Sequence, residues 1–121
     1  MSWEPISELE LWDRINSACD RMTPEQSKIW EIIKVLPHKW AEDSYGELGG
    51  GFWVVGLIGS QVIWFNDIED GFNQSSYTQF GKIAEYWCSQ DELEWAVQNV
   101  INLINDGYYS AGRSGPPQPV A

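Results

Sequence analysis

Asp67, Glu69 and Asp70 fall within four positions and run into Gly71, in the stretch WFNDIEDGFNQS (64–75). Oxygen-bearing residues that lead into a glycine are what a calcium loop uses, since a hard cation gathers carboxylate and carbonyl oxygens around a sharp turn. Placing Asp70 at the fifth position of an EF-type loop sets Gly71 correctly at the sixth. It also sets Ile68 at the third and Tyr77 at the twelfth, and neither side chain supplies a carboxylate. Spacing therefore removes that reading. On an extended strand Asp67 and Glu69, two apart, would share a face, which suits an acid–base pair or an irregular metal site. A small metal-dependent hydrolase using Asp67, Glu69 and Asp70 stays open as an alternative.

No further group completes such a site. His38 is the single histidine, and pairing it with Cys88 or a serine as nucleophile and base has no supporting motif. Gly49-Gly50-Gly51 precede an apolar run of strand character rather than a helix, without a following Lys-Ser/Thr, so they do not make a phosphate cradle. They suit a crowded loop instead. Cys19 and Cys88 show neither C-x-x-C spacing nor the second half of a zinc site, and read as two buried thiols in a reducing compartment, with a disulfide between them left open. The expectation is a chain that is not an enzyme and that carries no metal and no cofactor.

Charge points elsewhere. The net charge of −11 is unevenly spread. Residues 1–39 hold seven acids against five bases, whereas residues 40–112 hold eleven acids against Lys82 alone. Such a body repels nucleic acid and anionic membrane and attracts basic surfaces. The N-terminal MSWEPISELELW carries acids where a secretory signal carries positive charge, so a cytoplasmic location is expected. Trp12, Trp30, Trp53 and Trp64 fall on apolar faces and read as core. Trp40, Tyr45, Tyr77 and Trp95 fall in loops or on charged faces. Aromatics beside acids are frequent in protein-binding patches. The candidate partner-binding set is Glu42, Asp43, Tyr45 and Glu47 from an acidic loop, with Asp67, Glu69, Asp70 and Tyr77.

The elements that must position these residues follow from periodicity. Ser7 with Glu10 is a capping-box pattern, and Leu11, Trp12, Ile15, Cys19 and Met22 then recur at helical spacing, giving a helix over about 8–21. Thr23-Pro24-Glu25-Gln26 starts a second helix, with Ile29, Trp30, Ile33 and Leu36 on one face and Pro37 as its stop. His38 to Ala41 is a short strand or extended lead-in, followed by the loop 42–51. FWVVGLI (52–58) and VIWFN (62–66) form a hairpin about Gly59-Ser60, with Leu57 opposite Val62, Val55 opposite Trp64 and Val54 opposite Phe65. Both hairpin faces are apolar, so each needs a cover or a partner. A third strand is expected at 80–87. Ser89 with Glu92 then opens a helix whose stripe is Leu93, Val97, Val100, Ile101 and Ile104, ended by Asp106-Gly107. The fold class is α+β: an N-terminal helical hairpin, a three- to four-stranded mostly antiparallel meander, and a C-terminal helix packed on the sheet. Residues 1–109 form one domain and 110–121 a flexible Gly/Pro-rich tail.

The block GGGFWVVGLIGSQVIWFNDIEDGFNQSSY, followed by EYWCSQDELEWAV, resembles small bacterial proteins of the toxin-immunity type, encoded beside polymorphic toxins such as those of contact-dependent and Rhs-type systems. The resemblance implies a small cytosolic domain that binds and occludes a basic toxin domain. It assigns no role to individual residues. Together with the charge, it makes an acidic protein-binding domain, an immunity protein, the leading expectation. A non-enzymatic adaptor is the other alternative to the hydrolase, and homo-oligomers are open.

Overall fold

Both N-terminal helices begin at a residue whose side chain satisfies an amide of the first turn. In the computed structural model, which describes residues 4–107, Ser7 Oγ accepts from the Glu10 amide and opens α1 (Glu8–Arg21). Thr23 opens α2 (Pro24–Ile33) through both halves of a capping box: its Oγ1 accepts from the Gln26 amide, and Gln26 Oε1 accepts from the Thr23 amide. Removing a cap of this kind costs about 1 kcal/mol. The tail at 110–121 and the domain limit at 109 lie outside the described residues.

α2 ends three residues earlier than its apolar spacing predicts. The chain leaves the helix at Ile33 and enters β1 (Lys34–Trp40), so Pro37 sits within a strand instead of stopping a helix. The proline is tolerated because β1 is an edge strand and its pairing is irregular between Lys34 and His38. Leu36, expected on the core face of α2, is exposed as a result.

β2 (Phe52–Ile58), β3 (Gln61–Asn66) and β4 (Gly71–Ser76) continue an antiparallel sheet of order β1-β2-β3-β4. The hairpin turns at Gly59-Ser60, and Leu57 opposes Val62 as expected. Beyond that the register differs by one: Val54 opposes Trp64 and Trp53 opposes Phe65, because a bulge falls between Val54 and Gly56. One extra residue reverses the alternation of side chains. Trp53 and Val55 face the helices before the bulge and Ile58 after it, while Phe52, Val54 and Leu57 face the other way.

The sheet thus has two apolar faces, each with its own cover. On one, Val55, Ile63, Phe65 and Phe72 pack against Leu11 and Ile15 of α1, Trp30 and Ile33 of α2, and Val97 and Val100 of α3 (Leu93–Asp106). α3 touches both other helices and also packs on β4, so the three helices make one layer. Each fully buried large apolar side chain contributes about 1.5–3 kcal/mol. On the other face lie Trp40, Phe52, Val54, Val62 and Trp64, closed by Ile83. Trp40, expected at a charged loop, is buried there.

The second cover is not the strand expected at 80–87. The sheet's fourth strand is β4, the polar GFNQSS, and residues 77–91 run across the sheet as an irregular strap with only isolated bridges. The polar side chains of β4 account for this exchange. Ser75 Oγ donates to the Glu85 carbonyl at 2.8 Å and accepts from the Trp64 indole at 2.8 Å, so the strap's backbone is bonded to side chains rather than to a ladder. Gly71 permits the closest approach, since a Cβ there would collide with the backbone of Ser89 and Gln90. Gly51 meets a comparable need in the loop: it holds φ +102, and a Cβ would run into the Trp40 carbonyl.

α3 is capped differently from the expected box. Its N-cap is Glu92, with no side-chain cap bond, and the Ser89 amide donates to Asn73 instead. Arg21 reaches Glu92 and Glu94 from the last turn of α1 and ties the two helix ends together. Ile104 is exposed and the buried stripe ends at Ile101, whereas Gly107 is left-handed at the C-terminus, as Asp106-Gly107 predicts. Cys19 and Cys88 are both free thiols.

Candidate functional site

The loop after β1 is shaped by a carboxylate turned inward. Glu42 is 5% exposed, and its Oε1 accepts from the amides of Tyr45 (2.7 Å) and Gly46 (3.1 Å). This cap turns the chain into a 3-10 turn at Gly46–Gly49 and leaves Asp43 and Tyr45 pointing outward. Across from them runs the strap. Between loop and strap lies an open cleft of about 930 Å³, whose walls include Asp43, Tyr45, Lys82, Glu85, Tyr86 and Trp87.

The cleft walls are fixed by contacts from below. Tyr86 receives a hydrogen bond from Asn66 Nδ2 at 2.9 Å, and Tyr45 packs on the Tyr86 ring with centroids 4.4 Å apart. Burial raises the Tyr86 phenol above its ordinary pKa, the Asn66 bond opposes this, and nearby Glu69 adds to it. The phenol is therefore neutral across physiological pH. Glu85 Oε1 accepts from the Ser76 amide, which anchors the strap's carboxylate at the edge of β4. Lys82 Nζ lies 2.9 Å from Asp43 Oδ2, bridging the two walls. It is the only base in residues 40–112, and its surroundings are anionic.

The eight residues expected to form one partner-binding patch are divided by the structure. Asp43 and Tyr45 line the cleft, with Glu42 beneath as a structural cap, and Glu47 is exposed on the adjoining 3-10 turn. Tyr77 is engaged elsewhere: its hydroxyl donates to the Gly59 carbonyl and its ring meets Trp40 edge-on.

The stretch 66–71 works mainly as a tie between the sheet and α1. Asn66, fully buried, accepts from the amides of Ile68 and Glu69 and so forms the Asx turn that leads out of β3. Asp67 Oδ2 accepts from the Ile6 amide at 2.8 Å, while the Trp53 indole donates to the Ile6 carbonyl, pinning the chain just before α1. Burial raises the Asp67 pKa, opposed by the Ile6 amide and by Lys39. Asp70, left-handed at φ +63, pairs with Arg14 at 2.6 Å. Asp67 and Asp70 are thus drawn to different partners, and among the described residues no three of His, Cys, Asp or Glu converge on a metal position.

Sequence reasoning missed the strap's share of the cleft: Thr78, Gln79, Lys82, Glu85, Tyr86 and Trp87. One signal was present. Lys82 stands alone in a long acidic segment, and an isolated base there has a carboxylate to meet. No protein-family model matches the chain, and neither a curated protein nor a solved structure matches it. Among the described residues no helix is long and apolar enough to cross a membrane.

Proposed function

We propose that this chain is a protein-binding domain that takes a cationic segment of its partner against the cleft between the 42–47 loop and the strap, and that it acts as an immunity protein neutralising a cognate bacterial toxin domain. The observation that carries the binding reading is the cleft itself. It joins two packed aromatic rings, Tyr45 and Tyr86, tilted 46° to one another, to the carboxylates of Asp43 and Glu85, with Glu47 beside it. Aromatic planes beside carboxylates suit a guanidinium or ammonium group, which stacks on the ring while it pairs with the acid. The surrounding negative charge would speed encounter with such a partner. The toxin-immunity part rests on the sequence resemblance and on the acidic, single-domain character. A cytoplasmic setting belongs to the same reading.

The test is affinity capture from the source cytosol with the native chain and with Asp43→Lys/Glu47→Lys in parallel. A basic protein retained by the native chain, released by salt and lost from the double variant supports the cleft. Retention by both chains alike would overturn it. Co-expression then separates immunity from an adaptor role, since only an immunity protein rescues growth when the captured partner is toxic.

A further inference from the structure

Asp43 and Lys82 meet across the cleft because the chain first brings their backbones together. The Ala41 amide donates to the Gly81 carbonyl, and the Ile83 amide donates to the Ala41 carbonyl, both at 2.9 Å. The strap is therefore bonded to Ala41 on either side of Lys82. Two residues beyond Ala41 the loop presents Asp43, and Lys82 Nζ reaches its Oδ2 at 2.9 Å. The backbones are fixed, but the ion pair is not. With Lys82 45% and Asp43 73% exposed, both ends stand in water, where such a pair contributes little and two flexible side chains part readily.

The neighbouring carboxylates are held differently. Glu42 is turned inward onto the Tyr45 and Gly46 amides, and Glu85 accepts from the Ser76 amide. Asp43 is thus the cleft carboxylate whose printed partner is an exposed, exchangeable side chain. A cation arriving at Asp43 has to take the place of Lys82, and one ammonium replacing another leaves the pair as it was. A guanidinium adds what an ammonium lacks. It brings parallel N–H donors for the carboxylate, weaker hydration, and a flat face that lies on an aromatic ring. The half-exposed Tyr45 ring and its neighbour Tyr86 offer such faces in the same cleft.

We propose that Lys82 is a resident cation that holds Asp43 in the free protein and yields it to an arginine side chain of the partner, so that the cleft selects arginine over lysine. This rests on the reading of the cleft as a site for a cationic segment, and names the residue type it takes. Lys82 sets the threshold, since a group that gains nothing over an ammonium does not displace it.

Calorimetric titration at low salt with hexa-arginine and hexalysine peptides tests the exchange. The proteins are the native chain, Lys82→Met, Lys28→Met, Asp43→Asn and Lys82→Met/Asp43→Asn. Lys28 is exposed on α2, which covers the opposite face of the sheet, so Lys28→Met makes the same change of charge away from the cleft. The native chain should bind hexa-arginine about two- to fivefold more tightly than hexalysine, the value of a cation on an exposed ring. Lys82→Met should tighten hexa-arginine binding by about two- to fivefold beyond any gain in Lys28→Met, the value of an exposed ion pair. That gain should fall away in the Asp43→Asn background. Hexalysine bound as tightly as hexa-arginine overturns the exchange and leaves the cleft reading standing. So does a gain no larger in Lys82→Met than in Lys28→Met, or one that persists undiminished with Asp43→Asn. Failure of both peptides to bind any of the five proteins overturns the cleft reading and the exchange with it.

Discussion

Asn73 and Ser89 are bonded to each other twice. Asn73 Nδ2 donates to the Ser89 carbonyl at 3.0 Å, and the Ser89 amide donates to Asn73 Oδ1 at 2.8 Å. One side chain in β4 thereby replaces, for the strap, the pair of backbone bonds that a neighbouring strand would supply. Asn73→Ala removes both of these bonds from the half-buried Ser89 backbone. The expected loss is about 2–3 kcal/mol in denaturant unfolding. Asn73→Asp should be poorly tolerated as well, because it deletes the donor and places a charge where Asn73 is only 3% exposed. A variant with native stability would mean that the strap's other ties, among them those at Ser75, Ser76 and Asn66, suffice to hold it.

Gly71 sets how closely the strap lies on β4. Gly71→Ala puts a Cβ against the backbone atoms of Ser89 and Gln90, which cannot swing aside as a side chain can. The expected cost is about 2–3 kcal/mol. Faster amide exchange should appear at Phe72, whose N–H donates to the Asp91 carbonyl, and at Ser89. Exchange in α1 should change little if the strap opens as a unit. Uniform acceleration across the chain would instead point to global destabilisation.

These two residues also mark the limit of what could be read in advance. The helices were legible because capping residues and apolar spacing are local signals, and Ser7, Thr23 and Gly107 all act where that grammar puts them. Phe52–Ile58 and the turn at Gly59-Ser60 were legible for the same reason. β4 was not, since Asn73, Gln74 and Ser75 have the composition of a loop and become strand only because β3 pairs with them on one side and the strap needs their polar groups. The bulge at Val55 was hidden too, as a one-residue offset leaves no trace in an unbroken apolar run. Of the candidate site, Asp43 and Tyr45 were found from the acidic loop, but the opposing wall, more than thirty residues away, depends on how the strap is tied down.

Glu42 and Asp43 are adjacent acids with opposite roles, and their variants should separate. Glu42→Ala strips the acceptor from the Tyr45 and Gly46 amides and leaves them unsatisfied, which is expected to cost about 1–3 kcal/mol and to loosen the loop. Asp43→Asn disturbs only an exposed pair with Lys82, so the melting temperature should stay within about 1–2 °C of native. Binding should respond in reverse: Asp43→Asn slows association with a basic partner and flattens its salt dependence. Thermal unfolding and stopped-flow association on the same two proteins check both halves.

Arg21 and Glu94 give stability a pH dependence whose sign can be worked out. Glu94 is buried, with its side chain 9% exposed, and burial acts to raise its pKa. The hydrogen bonds and charge of Arg21 outweigh this and hold it below the ordinary 4.5. In the window below 4.5 the unfolded chain binds the proton more readily, so this group's stabilisation is complete above 4.5 and is lost as pH falls through the folded value. Asp91 acts in the opposite sense. Burial raises it above 3.8, the folded chain holds the proton more tightly, and stability falls as pH rises through the window just above 3.8. Urea midpoints measured from pH 3 to 6 on three proteins should separate the two. Glu94→Gln should lower the midpoint at pH 6 and relieve the decline on acidification, whereas Asp91→Asn should steepen it by removing the opposing group. Parallel curves for all three proteins would show that neither carboxylate is linked to folding.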